Sequence, residues 1–123
     1  MIRYDRDADG VVTLTMDDPD QSANTMNLAY VAAMTAAVDR LEAERDEVTG
    51  VIVTSGKTTF FAGGDVPMMA TATEDDGPAL RDLLGTIKRD LRRLETYGRP
   101  VVAAINGAAL GGGMGVATVI ERL

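Results

Sequence analysis

The feature that most constrains this chain is a glycine-rich turn that follows a short apolar run. The run covers residues 101–105, opens after Pro100 and ends at an Asn-Gly turn signal, so it predicts a buried strand. The turn spans residues 106–115, and the pattern of residues 114–120 favours a following helix, although Gly115 and the β-branched residues weaken it. A strand, a glycine turn and a helix start leave backbone N–H groups unpaired, which suits a phosphate or an oxyanion. Alternatively, the glycines only allow the helix to pack closely on the strand.

A second glycine turn follows another predicted buried strand. Residues 51–55 are the strand, and residues 60–66 contain Gly63 and Gly64. Between them, Gly56-Lys57-Thr58 looks like the end of a phosphate-binding P-loop. That interpretation is rejected, because Gly50 lies one residue too far upstream, a strand fills the gap, and two phenylalanines stand where the helix should begin.

The other elements follow from hydrophobic spacing and turn signals. Apolar and polar residues alternate over residues 11–16, after the Asp9-Gly10 turn, and this pattern predicts the second strand of a β-hairpin. Residues 17–22 form a polar loop that lacks the spacing and the closing Glu of an EF-hand. Asn27 is a candidate N-cap for a helix that extends to about Glu44. Residues 68–76 read as an acidic loop. A second helix begins near Asp75, with an apolar face made by Leu80, Leu84, Ile87, Leu91 and Leu94. The alternation of elements indicates an α/β fold with parallel strands as the default.

Composition excludes several classes of function. The 123 residues carry a net charge of −7 and contain neither Cys nor His, which removes disulfides, Cys/His zinc sites and His-dependent triads. The acidic balance argues against nucleic acid as a partner, and the basic cluster around Lys88-Arg89 and Arg92-Arg93 is expected to be a solvated helix face. No apolar run approaches the length of a bilayer span and no signal pattern is evident, so we expect a cytoplasmic chain without a membrane partner.

The two glycine turns together resemble the crotonase (enoyl-CoA hydratase/isomerase) family, and residues 22–27 look like that family's substrate loop. Within the family, the chain most resembles the hydratase part of a multifunctional fatty-acid-oxidation α chain. The resemblance implies a crotonase-like (ClpP/crotonase) α/β spiral of ββα units, of which residues 1–123 would be the N-terminal part, with only the first half present. The motifs that carry it are Phe60-Phe61-Ala62-Gly63-Gly64-Asp65 and Pro100-Val101-Val102-Ala103-Ala104-Ile105-Asn106-Gly107-Ala108-Ala109-Leu110-Gly111-Gly112-Gly113.

The resemblance also implies an activity and its site residues. The family's thioester chemistry in β-oxidation passes through an enolate, and by resemblance an oxyanion hole would be formed by the backbone N–H groups of Gly64 and Gly112. The substrate's coenzyme A moiety would lie along the loop of residues 24–27. The residues implied to bind substrate are Asn24, Met26, Ala62 and Asp65. The resemblance implies no metal and no redox cofactor, and it implies an oligomer, a trimer in the family, or a partner chain.

The chain departs from the family pattern after Gly113. Hydratases of this family usually carry a glutamate two residues after the glycine triplet, and here that position is Gly115. A second catalytic glutamate would fall beyond Leu123, and Glu121 is interpreted as a solvated helix end. We therefore expect a truncated or frame-shifted member with weak or no lyase activity, whose uncovered apolar surface favours association.

Two other functions stay open at this stage. One is a non-catalytic acyl-CoA-binding or assembly fragment that needs a partner chain. The other is a dinucleotide-binding unit that uses Gly107, Gly111 and Gly113, but their spacing misses G-x-G-x-x-G and no room remains for the acidic residue further on.

Overall fold

The computed structural model describes residues 1–64 and 73–111 of the chain. These residues form one mixed sheet of four strands in the order β1-β2-β3-β4, with two long helices. The β1–β2 pair is antiparallel, whereas β2–β3 and β3–β4 are parallel, so the predicted α/β class and hairpin are confirmed. The elements are β1 Ile2–Arg6, β2 Val11–Met16, α1 Leu28–Ala43, β3 Gly50–Ser55, α2 Gly77–Glu95 and β4 Val101–Ala103.

The turn between β1 and β2 confirms the Asp9-Gly10 signal. Gly10 has a φ of 83°, and a Cβ at this position would lie 2.5 Å from the carbonyl oxygen of Glu47. The Asp7 carboxylate accepts the N–H groups of Asp9 and Val11, each at 2.9 Å. Thr49 donates its N–H to Gly10 at 2.9 Å, which joins the hairpin to the start of β3.

Helix α1 packs against the sheet as its spacing predicts. Asn27 is the N-cap, and its side-chain oxygen accepts the N–H of Tyr30 at 2.8 Å. The helix ends at Ala43, next to the expected limit at Glu44. One apolar core joins its buried face to the alternate buried residues of β2 and β3. The fully buried members with the largest side chains are Tyr30, Phe60, Phe61, Leu14, Met16, Met34, Leu41, Leu94, Val12, Val38, Val48 and Val51.

Helix α2 differs from its predicted burial. Of the expected apolar face, only Leu94 is fully buried, and Leu84 is 53% exposed. The C-terminal half of α2 is attached to α1 by charged groups. The guanidinium of Arg93 pairs with Asp39 at 2.6 Å and with Glu42 at 2.9 Å on α1, and with the buried Asp90 at 3.1 Å on its own helix.

The prediction that the basic cluster on α2 is a solvated helix face is therefore wrong at Arg93. Its side chain is 19% exposed because acidic residues of α1 lie opposite it. Asp90 is also buried, and its Oδ2 accepts the hydroxyl hydrogen of Thr35 at 2.5 Å. A charge pattern within one helix does not reveal the charges on the helix packed against it.

Three predicted segments are shorter than expected or lie partly outside the described residues. Strand β4 ends at Ala103. Ala104 still donates its backbone N–H to the carbonyl of Val53 at 2.8 Å, and its own carbonyl accepts the hydroxyl hydrogen of Thr54 at 2.9 Å. The helix expected over residues 114–120 lies outside the described residues, as do residues 68–72 of the acidic loop. In the described remainder of that loop, Thr73 and Asp76 form a capping box ahead of α2. Neither α1 nor α2 is long and apolar enough to cross a bilayer.

Candidate functional site

The candidate site lies beyond the carboxyl ends of β2 and β3, where three predicted segments meet. Residues 60–64 run between the other two. On one side, Phe60 and Phe61 donate their N–H groups to the carbonyl of Ala108 at 2.9 and 3.1 Å, and Leu110 donates to Phe61 at 3.0 Å. On the other side, residues 62 and 63 are bonded to the loop of residues 24–26. The structure thus brings both glycine turns and the predicted substrate loop into one backbone assembly.

The two glycine turns touch each other through their backbones. Gly63 has a φ of 98° and Gly111 a φ of 53°, both in the left-handed region that favours glycine. A Cβ at Gly63 would lie 3.2 Å from the carbonyl oxygen of Leu110, and one at Gly111 would lie 3.5 Å from the Cα of Gly63. A side chain at Gly63 would therefore crowd the junction, whereas at Gly111 the positive φ alone disfavours one. Gly64, the predicted oxyanion donor, is exposed beside it.

The Asn-Gly turn signal after β4 has a packing reason. A Cβ at Gly107 would overlap the carbonyl oxygen of Thr58 and lie 2.9 Å from the Cα of Thr59. Asn106 donates its side-chain N–H to the carbonyl of Ser55 at 2.8 Å and to that of Lys57 at 3.2 Å. Both residues therefore attach the second glycine turn to the exit of β3.

Asn24 is a buried residue whose hydrogen bonds join several segments of the site. Its side chain is fully buried. The side-chain nitrogen donates to the carbonyl of Met16 and to Ser55 Oγ, each at 2.9 Å. The side-chain oxygen accepts the N–H of Asp18 at 3.0 Å. A longer contact of 3.5 Å reaches the carbonyl of Phe60. The Asn24 side chain is thus committed to the protein. Substrate contact by Asn24 stays a prediction, as it does for Met26 and Ala62, which are half-buried.

Asp18 is a site-supporting residue that the sequence reasoning missed. It is 3% exposed, and its carboxylate accepts the backbone N–H of Asp20 and the side-chain N–H of Asn27, each at 3.0 Å. These hydrogen bonds, the Asp20 N–H first, lower the pKa of the Asp18 carboxyl below its ordinary value. Because Asn27 caps α1, Asp18 links the loop to the start of that helix. The sequence shows only an acidic loop, with no spacing rule that marks Asp18.

We predict that Asp18 makes stability depend on acid pH. Its folded-state pKa is lowered, so its stabilising effect is complete above the pKa of the unfolded chain and is lost as pH falls below about 4. Asp18→Asn should therefore lower the free energy of unfolding at pH 7. The difference in free energy of unfolding between this variant and the natural chain should become smaller as pH falls. Urea unfolding at several pH values measures this, and a gap that stays constant with pH would contradict it.

Lys57, the lysine of the rejected P-loop pattern, is held by an ion pair at the edge of the site. Its Nζ lies 2.9 Å from Asp17 Oδ1, and Arg3 lies 2.9 Å from the other oxygen of the same carboxylate. Both partners, Lys57 first, lower the pKa of the Asp17 carboxyl. Across residues 1–64 and 73–111, no group of three or more Asp, Glu, His or Cys side chains is arranged to hold a metal ion.

The apolar base of the site is formed by aromatic rings. Tyr30 of α1 meets Phe61 edge to face, with ring centroids 5.1 Å apart and planes at 70°. Both side chains are buried, so α1 packs directly on the segment that carries Gly63 and Gly64. The other two predicted site residues, Asp65 and Gly112, lie outside the described residues.

Comparison with known proteins identifies the family. The enoyl-CoA hydratase/isomerase family profile matches residues 6–121 of the chain. The chain belongs to this family. Among curated relatives, the fatty acid oxidation complex subunit alpha of Acinetobacter baumannii is 34% identical over 93% of the chain and 16% of its own length. The subunit of the same name from Idiomarina loihiensis is 37% identical over 89% of the chain and 15% of its length.

Solved structures show the same fold. The enoyl-CoA hydratase of Bacillus anthracis superposes with a TM-score of 0.83 at 27% identity, covering 98% of this chain and 45% of that one. An enoyl-CoA hydratase of Mycobacterium smegmatis gives a TM-score of 0.84 at 25% identity, with the same coverage. The fold is thus the crotonase-like α/β fold of this family, as predicted. The chain spans less than half the length of these hydratases and about a sixth of the curated alpha subunits.

Proposed function

We propose that this chain binds an acyl-CoA thioester and polarises its carbonyl group with backbone N–H groups. The donors would be Gly64 and Gly112, and substrate would lie along Met26, Ala62 and Asp65. The observation that carries the proposal is the backbone hydrogen bonding between the two glycine turns, with Gly64 exposed at their junction. Gly112 follows Gly111 in the sequence and lies outside the described residues.

The physical basis of the proposal is charge stabilisation. When a thioester enolises, negative charge develops on its carbonyl oxygen. A fixed N–H donor aimed at that oxygen stabilises the transition state by about 3 kcal/mol, and glycine presents the donor without a side chain in the way. No redox cofactor or metal is required for this step, and coenzyme A enters as part of the substrate.

Hydration of an enoyl thioester needs more than the oxyanion hole. In this family it uses glutamates as acid and base, and the position of the first is occupied by Gly115. Loss of general acid–base catalysis typically costs a factor of about 100 to 10,000 in rate. We therefore propose that hydratase or isomerase activity of residues 1–123 is weak or absent, and that binding is retained. As a second candidate, the chain acts as a non-catalytic acyl-CoA-binding or assembly fragment.

The proposal includes association of the chain with other chains and its location in the cell. Several apolar side chains are exposed on the described surface, among them Val102 in β4 and, after that strand, Ile105 and Leu110. Self-association, as a trimer of the family type, or a partner chain would cover such surface. A cytoplasmic location agrees with an acyl-CoA ligand but stays a proposal.

The test is a calorimetric titration of the chain with acetoacetyl-CoA. This enolisable thioester needs the oxyanion hole but not the glutamates, so we expect saturable binding that is tighter than the binding of coenzyme A alone. Equal affinities would contradict the oxyanion hole, and no binding by a folded chain would contradict the whole proposal. A hydratase assay with crotonyl-CoA then separates the two candidates, because measurable turnover would exclude the purely binding role.

A further inference from the structure

The loop of residues 24–26 does more than border the site. We infer that it positions the oxyanion donor: together with Gly63 it forms a one-residue bulge that frees the N–H of Gly64 from sheet pairing and aims it at the second glycine turn. This inference rests on the proposed function, since it assigns a role to the donor of that same site. The evidence is the register of the backbone hydrogen bonds between the two segments.

The register between the segments changes by one residue at Gly63. Ala62 donates its N–H to the carbonyl of Asn24 at 2.8 Å, which in a parallel ladder puts Thr25 opposite Ala62 and would put Met26 opposite Gly63. Continued regularly, that ladder would bond the N–H of Gly64 to the carbonyl of Met26. Instead, Met26 pairs with Gly64. One extra residue on one strand is a β-bulge, and the positive φ of Gly63 accommodates it.

The bulge determines where the N–H of Gly64 points. Met26 donates its N–H to the carbonyl oxygen of Gly63 at 2.8 Å. That carbonyl and the N–H of Gly64 belong to one planar trans peptide, so they point in opposite directions. The N–H of Gly64 is therefore directed away from Met26, towards the side on which residues 108–111 lie. A single hydrogen bond from Met26 thus fixes the orientation of the donor.

Asn24 holds the positioning loop in place. Its buried side chain ties the loop to the end of β2 through Met16 and to the end of β3 through Ser55. Its own carbonyl accepts the N–H of Ala62. The Asn24 end of the loop is therefore attached to the sheet by a buried side chain, and the bulge starts from this fixed point.

Removal of the one N–H of Met26 tests the inference. Met26 is replaced by its α-hydroxy acid analogue, which changes the amide to an ester and keeps the side chain. The matched control is the same exchange at Thr49, whose N–H bonds to Gly10 at 2.9 Å at the opposite end of the sheet. Each exchange removes one backbone hydrogen bond and weakens one neighbouring carbonyl acceptor, that of Thr25 or of Val48.

The readouts are the affinity for coenzyme A, the affinity for acetoacetyl-CoA, and the ultraviolet absorbance of the bound enolate, formed when the C2 proton passes to solvent. With the Met26 ester we expect the acetoacetyl-CoA affinity to fall about tenfold to a hundredfold and the enolate fraction to fall at constant pH. Coenzyme A affinity should fall by a much smaller factor, because the ester keeps the Met26 side chain, and the Thr49 ester should leave all three readouts unchanged. An unaltered enolate fraction in the Met26 ester would overturn the inference. So would a fall in coenzyme A affinity equal to the fall in acetoacetyl-CoA affinity. Failure of the natural chain to bind acetoacetyl-CoA would instead overturn the proposed function.

A measurement without ligand tests the bulge itself. Scalar couplings across hydrogen bonds in a ¹⁵N,¹³C-labelled chain report which carbonyl each amide contacts. We expect a coupling between the nitrogen of Met26 and the carbonyl carbon of Gly63. A coupling between the nitrogen of Gly64 and the carbonyl carbon of Met26 would show a regular ladder and would overturn the inference, whatever the ligand experiments give.

Discussion

Asn24→Ala is expected to lower the free energy of unfolding by about 2 to 4 kcal/mol, because it leaves the N–H of Asp18 without its acceptor and removes two further buried hydrogen bonds. The N–H of Asp18 loses its acceptor, while the carbonyl of Met16 and Ser55 Oγ each lose one of their hydrogen bonds; the Met16 carbonyl still accepts the N–H of Gly56 at 2.9 Å. All three lie at the ends of strands or in the loop of the site. Urea unfolding followed by circular dichroism measures the change.

Asn106→Ala is the matched control for Asn24. Asn106 also donates its side-chain N–H to two backbone carbonyls, of Ser55 and Lys57, but it is exposed to solvent. Water can replace its bonds, so we expect a loss of about 1 kcal/mol or less. Equal losses for the two variants would show that burial of Asn24 is not what makes it important.

Arg93→Met is expected to destabilise the chain by about 2 to 4 kcal/mol, because it leaves the buried carboxylate of Asp90 without its close cation. Methionine keeps most of the apolar stem of the arginine, so the change isolates the charge. Asp90 would retain the Thr35 hydroxyl and the more distant Arg89, at 3.4 Å. Thermal or urea unfolding gives the magnitude.

Arg92→Met on the same helix is the control for Arg93. Arg92 is 70% exposed and pairs with Glu95 one turn away, so its loss should cost less than about 1 kcal/mol. The double variant Arg93→Met/Asp90→Asn should regain part of the stability lost in Arg93→Met, since no buried charge remains. A double variant that is less stable than Arg93→Met would contradict this explanation.

The sequence predicts the elements well where local signals are strong. Strand β2 alternates apolar and polar residues after an Asp-Gly turn, and the structure has it at Val11–Met16. Asn27 stands before the first apolar residue of α1 and caps it. The family motifs at residues 60–65 and 100–113 predict that two glycine turns belong to one site, and backbone hydrogen bonds of Phe61 to Ala108 and Leu110 join the two turns. The first two features depend on a few neighbouring residues, whereas the meeting of the two turns is what the family resemblance implies.

What the sequence does not show depends on contacts between distant segments. The burial of Asp90 requires acidic residues on α1 to draw Arg93 inward, and these lie 51 and 54 positions away. Asp18 gains its role only when Asn27 folds back on it. The bulge at Gly63 is a change of register between two chain segments, and no pattern within either segment encodes it.

The edge-to-face contact of Tyr30 with Phe61 gives the chain an internal optical label. The chain has three tyrosines and no tryptophan, so its near-ultraviolet signal comes from few chromophores. Tyr4 and Tyr97 each have a cation near the ring, whereas Tyr30 packs on the segment that carries Gly63. Near-ultraviolet circular dichroism of Tyr4→Phe/Tyr97→Phe would therefore isolate Tyr30, and ligand titrations could be followed at the site without attaching a dye.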